Sequence, residues 1–259
     1  YELGQVQDAY YIAMEHLHGK DLTRLVKTMR ARDERLPIPV CVFLVAELCR
    51  GLAHAHQRVD QDGQPLQIVH QDVSPHNVLV TFSGEAKLVD FGIARILHRS
   101  LKDTPSSRVG PGGGKYAYMS PEQVTGKAFG PRSDIFSAGI VLWELICDRR
   151  LFDDPDPNEK LRLVKQAIVP HPETLGVSIP DPLWRIIQQA LALDPDERYA
   201  SAEALEEDLR AWLFEERHRI GRSDVAHWMR HAFPNANDLV ESRLDLTDMI
   251  ADVENLGQQ

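Results

Sequence analysis

Two stretches of this chain are apolar on most of their faces: "VCVFLVAELCRGLAHAHQ" (residues 40–57) and "SDIFSAGIVLWELICD" (residues 133–148). A helix that is apolar all round belongs inside a protein. The rest of the chain reads as material to enclose this pair. Pro37 and Pro39 open the first helix, and Ser133 reads as the N-cap of the second. Asp21 can cap a shorter helix running to about Arg32. Amphipathic helices are expected at 158–168, 182–192 and 202–215. "YYIAM" (10–14) reads as a short strand, ended by "HGKD". Residues 78–80 and 86–89 alternate about an "SG" turn, as a small hairpin does. After Arg219 the pattern changes to an appended helical tail. The expected fold class is mainly α, with a few short strands.

Composition narrows the function. The chain has 259 residues, 43% of them hydrophobic, which is enough for a large core. Its net charge of −10 argues against a nucleic-acid groove and against docking on anionic lipid. No apolar run is read as a membrane span, and no signal peptide is seen. A start at Tyr1 rather than Met leads to the expectation of further residues upstream. Cys41, Cys49 and Cys147 sit in apolar helical stretches and read as buried free thiols in a reducing, cytoplasmic setting. Residues 98–118, with "GPGGG" among them, form a polar loop too long for a packed element.

The polar centre of "VHQDVSPHNVLV" (69–80) asks for a purpose, because each buried polar group left without a partner costs about 1–3 kcal/mol. Asp72 and Asn77 are followed thirteen residues after Asn77 by "DFG", Asp90–Phe91–Gly92. Oxygen-bearing side chains on loops between short strands suit a hard cation carried by phosphates. Zinc fits poorly: His70 and His76 find no further His or Cys cluster to complete a four-ligand shell. His54 and His56, two apart on a helix, face different sides and read as packing or surface residues. Trp143 and Trp184 read as core.

These motifs resemble those of the protein kinases, in particular bacterial serine/threonine kinases of the eukaryotic type. "HQDVSPHN" is similar to the catalytic loop H-R-D-x-x-x-x-N, "DFG" matches outright, and "SPE" (120–122) is similar to A-P-E. The order is right, and 30 residues run from Asp90 to Ser120. "SDIFSAGIVLWEL" resembles the family's central helix, and "DPDERYASA" the segment whose arginine pairs with the A-P-E glutamate. The resemblance covers roughly residues 1–215.

It implies ATP and Mg²⁺ as cofactors and a protein Ser/Thr side chain as acceptor. Asp72 would orient the acceptor hydroxyl. Asn77 and Asp90 would hold Mg²⁺. Met14 would stand behind the adenine, with Glu15 to Leu17 as the hinge, Asp21 near the ribose and Leu79 beneath the ring. His70 and Phe91 would belong to the apolar stack that links the lobes, and Gly92 would be structural. Glu122 would pair with Arg198, and Asp134 would hold the backbone of the catalytic loop. Residues 1–18 would be the last strands of the N-lobe and the hinge, 19–218 the C-lobe, and 219–259 a helical extension.

The chain departs from the family pattern in three places. The glycine-rich phosphate loop, the strand lysine and its glutamate lie ahead of the hinge in the family. A hinge at residue 15 leaves no room for them, so this stretch is expected to need the N-lobe of the same parent chain and to be inactive alone. The parent could also carry a membrane anchor elsewhere. The loop arginine is Gln71, whose neutral amide cannot latch a phosphorylated Thr104, Ser106 or Ser107. The lysine two residues after the catalytic aspartate is Ser74, while Lys115 stands where the family places a threonine; Lys115 is expected to replace the missing charge. The alternative reading, from Gln71 and Ser74, is a pseudokinase or scaffold module.

Overall fold

The computed structural model describes residues 2–6, 9–13, 15–90 and 115–235, with the strands before residue 14 and Lys115 described by their backbone. The expectations placed on Met14, Phe91, Gly92, Thr104, Ser106, Ser107 and the tail beyond residue 235 lie outside the described residues.

Among the described residues the chain is mainly helical. Strands β1 (Glu2–Val6) and β2 (Ala9–Ala13) form an antiparallel pair, with Gly4 opposite Tyr11. Next come β3 (Gly19–Asp21), α1 (Leu22–Arg30) and α2 (Ile38–His56). Strands β4 (Val78–Thr81) and β5 (Ala86–Leu88) make the hairpin. The remainder is α3 (Pro121–Val124), α4 (Pro131–Cys147), α5 (Pro157–Lys165), α6 (Asp181–Ala190), α7 (Ala202–Glu215) and α8 (Arg222–Ala232).

The two apolar helices, α2 and α4, pack against each other, and α7 covers α2. Their buried faces include Leu44, Leu48 and Leu52 on α2 and Phe136, Ile140 and Trp143 on α4. Each such side chain contributes about 1.5–3 kcal/mol by leaving water. Cys41, Cys49 and Cys147 are free and buried, and burial pushes the Cys41 thiol up to about 12. α1 is amphipathic: Leu22, Leu25 and Met29 face inward, and Asp21 Oδ1 accepts the Arg24 amide at 2.9 Å as its N-cap. Arg30 and Arg35 both reach Asp148, whose left-handed backbone (φ 51°) ends α4.

Three local expectations are corrected. Ser133 is not the N-cap of α4. Pro131 supplies the preset φ of the first helical residue, and Gly130 is the cap. Ser133 is buried in the first turn instead, where its hydroxyl donates to Glu122 Oε1 at 2.5 Å. "HGKD" is not a mere break. Its residues 19–21 form β3, which pairs with β4 and makes the sheet three-stranded in the order β3-β4-β5. Periodicity hides this strand because it is three residues long and evenly half-buried. Gly19 allows it, since a β-carbon there would stand 2.2 Å from the Val80 carbonyl oxygen. Finally, one described helix, α2 with its 19 residues, is long and apolar enough to cross a membrane, contrary to the sequence reading. Most of it is buried within the fold, as suits a core helix.

Candidate active site

The loop from His70 to Asn77 connects α2 to β4 and is held from below by Asp134. That carboxylate is buried in the first turn of α4. Oδ2 accepts the His70 amide at 2.8 Å, and Oδ1 accepts the Gln71 amide at 2.9 Å. Hydrogen bonds to a buried carboxylate are charge-assisted and stronger than neutral ones. They hold Gln71 in the left-handed region, at φ 66°, where a non-glycine residue is strained. His56 Nε2 lies 2.8 Å from the same Oδ2. By sequence His56 reads as a packing or surface residue. The structure makes it part of the support of the loop.

The His70 ring is wholly buried and bonds on both sides. Nε2 faces the Val89 carbonyl oxygen at 3.0 Å, and Nδ1 accepts the Asp72 amide at 3.3 Å. A carbonyl can only accept, so the ring proton belongs on Nε2. His70 thereby joins the loop to the end of the β4–β5 hairpin.

Asn77 turns its amide nitrogen back onto the loop. Nδ2 donates to the Asp72 carbonyl oxygen at 2.7 Å and to Asp72 Oδ2 at 3.3 Å. That orientation leaves Oδ1 as the atom of Asn77 suited to a cation. Val78 pairs with Leu88, and the Asn77 carbonyl accepts the Val89 amide at 2.9 Å. Asp90 stands one step beyond Val89, exposed and left-handed at φ 60°. Asp72, Asn77 and Asp90 therefore sit at the open end of one hairpin. No three His, Cys, Asp or Glu side chains gather as a metal centre among the described residues. An amide oxygen beside a carboxylate suits a hard cation that brings phosphate oxygens as its remaining ligands.

Leu79 marks the face beside this end. Val78 and Val80 are buried, so Leu79 points to the other side of the sheet. In register it lies between Asp21 on β3 and Lys87 on β5. The Lys87 amine pairs with Glu15, tying the predicted hinge to the sheet. Glu15 is exposed and Leu17 half-buried. Asp21 is engaged with α1 through both carboxylate oxygens, since Arg24 Nε lies 3.2 Å from Oδ2.

Glu122 and Arg198 form a two-pronged buried pair, with Nη1–Oε1 at 2.8 Å and Nη2–Oε2 at 2.9 Å. Arg198 spends its other donors on the carbonyls of Ala192, Arg132 and Leu193. All five guanidinium N–H groups are thus satisfied, the condition under which a buried ion pair is tolerated. Burial alone would raise the Glu122 carboxyl, but the bonds from Arg198 and Ser133 overcome it and hold the group at about 2. The sequence did not point to a second buried network: Tyr118 Oη donates to Glu144 Oε2 at 2.7 Å, and Arg150 reaches both.

A family model described as the protein kinase domain matches residues 1–209. The chain belongs to the protein kinase family. Within that family it is 33% identical, over 94% of its length, to the tyrosine-protein kinase MasK of Myxococcus xanthus, of which it covers 37%. It is 34% identical over 81% of its length to the serine/threonine-protein kinase PrkC of Bacillus subtilis, covering 30% of that protein. It is 32% identical over 77% of its length to the serine/threonine-protein kinase PknB of Mycobacterium leprae, again covering 30%. The chain thus spans about a third of the length of these curated relatives. They are bacterial kinases, as the motifs in the catalytic loop led one to expect.

Proposed function

We propose that this chain carries the catalytic loop and metal-holding residues of a protein kinase that moves the γ-phosphoryl group of ATP to serine or threonine hydroxyls of a protein acceptor. One observation supports this above others: Asn77 is hydrogen-bonded to Asp72 while the hairpin sets Asp90 one residue past the partner of Asn77. In this reading Asp72 orients the acceptor hydroxyl and takes its proton. Asn77, through Oδ1, and Asp90 hold Mg²⁺. The bound ion would shield the phosphate charge as the phosphoryl group moves. Leu79 supports the adenine ring, Asp21 faces the ribose, and the backbone of Glu15 to Leu17 meets the base. Lys115 supplies the charge that Ser74 lacks.

The same reading divides the chain into a hinge with the last N-lobe strands (1–18), a C-lobe (19–218) and a helical extension (219–259). In this reading the glycine-rich loop and strand lysine come from the N-lobe of the parent polypeptide, and transfer is proposed for the protein that includes it. The name of the Myxococcus relative favours a second reading, in which tyrosine is the acceptor.

The test is to incubate the full-length protein carrying these residues with γ-labelled ATP, Mg²⁺ and a protein acceptor, and to identify the labelled amino acid. Label on serine or threonine supports the proposal. Label on tyrosine supports the second reading, and no label in any acceptor contradicts both.

A further inference from the structure

Helix α8 lies beyond the 209 residues that the kinase domain model matches. It is nevertheless built into the fold. Val225, Ala226, Met229 and Ala232 are buried along one face. At its start the backbone touches the β4–β5 turn so closely that a β-carbon on Gly84 would stand 1.8 Å from the Arg222 carbonyl oxygen and 2.8 Å from the Ala226 nitrogen. Gly84 also has φ +85°, which a side chain would strain. Arg222 Nη2 lies 3.2 Å from Glu85 Oε1 in the same turn.

At the other end, Arg32 caps the helix, donating to the carbonyls of His231 at 2.6 Å and Ala232 at 3.1 Å. Phe233, just past the helix, meets Phe82 edge-on with ring centroids 6.3 Å apart. Phe82 in turn lies 4.7 Å from the His18 ring, and its amide donates to the His18 carbonyl at 3.0 Å. The contacts form one line from α8 through Phe82 to the residue that follows the hinge. The match to the Myxococcus relative takes in 94% of the chain and so runs through α8, while that to the Bacillus relative takes in 81%.

We propose that α8 is a brace for the catalytic hairpin, and that Phe233 is a positioning residue acting through Phe82. The closed end of the hairpin, at Gly84, is gripped by α8. The open end carries Asn77 and Asp90. A hairpin this short, with four residues in β4 and three in β5, holds its register weakly without such packing. Fixing one end limits how far the other can shift, and so keeps the two metal-holding residues at a constant separation. This role rests on the kinase reading above, because it assigns α8 a task only if Asn77 and Asp90 hold a cation.

The test compares the full-length protein carrying these residues with Phe233→Ala and the bulk-preserving Phe233→Leu. Two readouts are followed: amide hydrogen exchange and the Mg²⁺ concentration giving half-maximal phosphoryl transfer. Phe233→Ala is expected to speed exchange at Val78–Val80 and Ala86–Leu88 about tenfold, leaving α2 and α4 unchanged. The half-maximal Mg²⁺ concentration is expected to rise about fivefold, with kcat at saturating Mg²⁺ largely kept and Phe233→Leu close to wild type. Uniform acceleration across α2, α4 and the hairpin would make α8 a general stabiliser and overturn the proposal, as would no local change. A wild type that transfers no phosphate contradicts the kinase reading alone. The exchange readout still decides whether α8 braces the hairpin.

Discussion

His56, the last residue of α2, sets Nε2 2.8 Å from Oδ2 of Asp134, in the first turn of α4. The same carboxylate holds the amides of His70 and Gln71. The ends of the two central helices and the catalytic loop thus meet on one buried group. The core is thereby linked to Asp72 through His70, whose ring accepts the Asp72 amide.

Removing His56 should therefore loosen the loop as well as the core. His56→Ala is expected to lower unfolding stability by about 1.5–3 kcal/mol, the worth of one hydrogen bond to a charged group, since Asp134 keeps the amides of His70 and Gln71. Thermal or denaturant unfolding measures this. A cost within error of zero would mean the histidine adds nothing to the hold on Asp134.

The Glu122–Arg198 pair gives a pH-dependent prediction. The folded carboxyl sits at about 2, below its ordinary 4.5. A depressed carboxyl stabilises the fold fully above its unfolded value, and the contribution is lost as the pH falls. The stability difference between wild type and Glu122→Gln should be constant above about pH 5 and shrink from about 4.5 towards 2. At neutral pH the substitution is expected to cost about 3–5 kcal/mol, because it leaves Arg198 buried beside a neutral amide. Denaturant midpoints across this range measure both effects.

These two cases show what was legible. Glu122 and Arg198 could be named from motifs 76 residues apart, because both stand in recognisable sequence surroundings. His56 could not. On a helix apolar all round, period alone cannot say which histidine meets a carboxylate 78 residues away. The helices α2, α4, α6 and α7 were readable because their apolar patterns are long. Strand β3 was not, since three half-buried residues carry no pattern and the pairing depends on the missing side chain of Gly19. The buried Tyr118–Glu144 bond likewise has no signature beyond two polar residues in apolar company.

The proposed replacement of the charge missing at Ser74 by Lys115 can be separated by mutation. Ser74 is buried in the loop and needs no counter-charge. Lys115→Ala is expected to slow phosphoryl transfer by the full-length protein about a hundredfold, as loss of a charge-stabilising donor does, and Ser74→Ala by less than about threefold. Equal, small losses in steady-state rates would sink the idea that Lys115 takes over the role.

In the proposed function Asp72 acts on the acceptor beside Asn77 and Asp90. The most direct measurement is single-turnover phosphoryl transfer by the full-length protein, wild type against Asp72→Asn, with nucleotide affinity determined in parallel. The expected result is a rate loss of about a thousandfold with ATP affinity kept within about threefold. A variant that transfers phosphate at near the wild-type rate would contradict it.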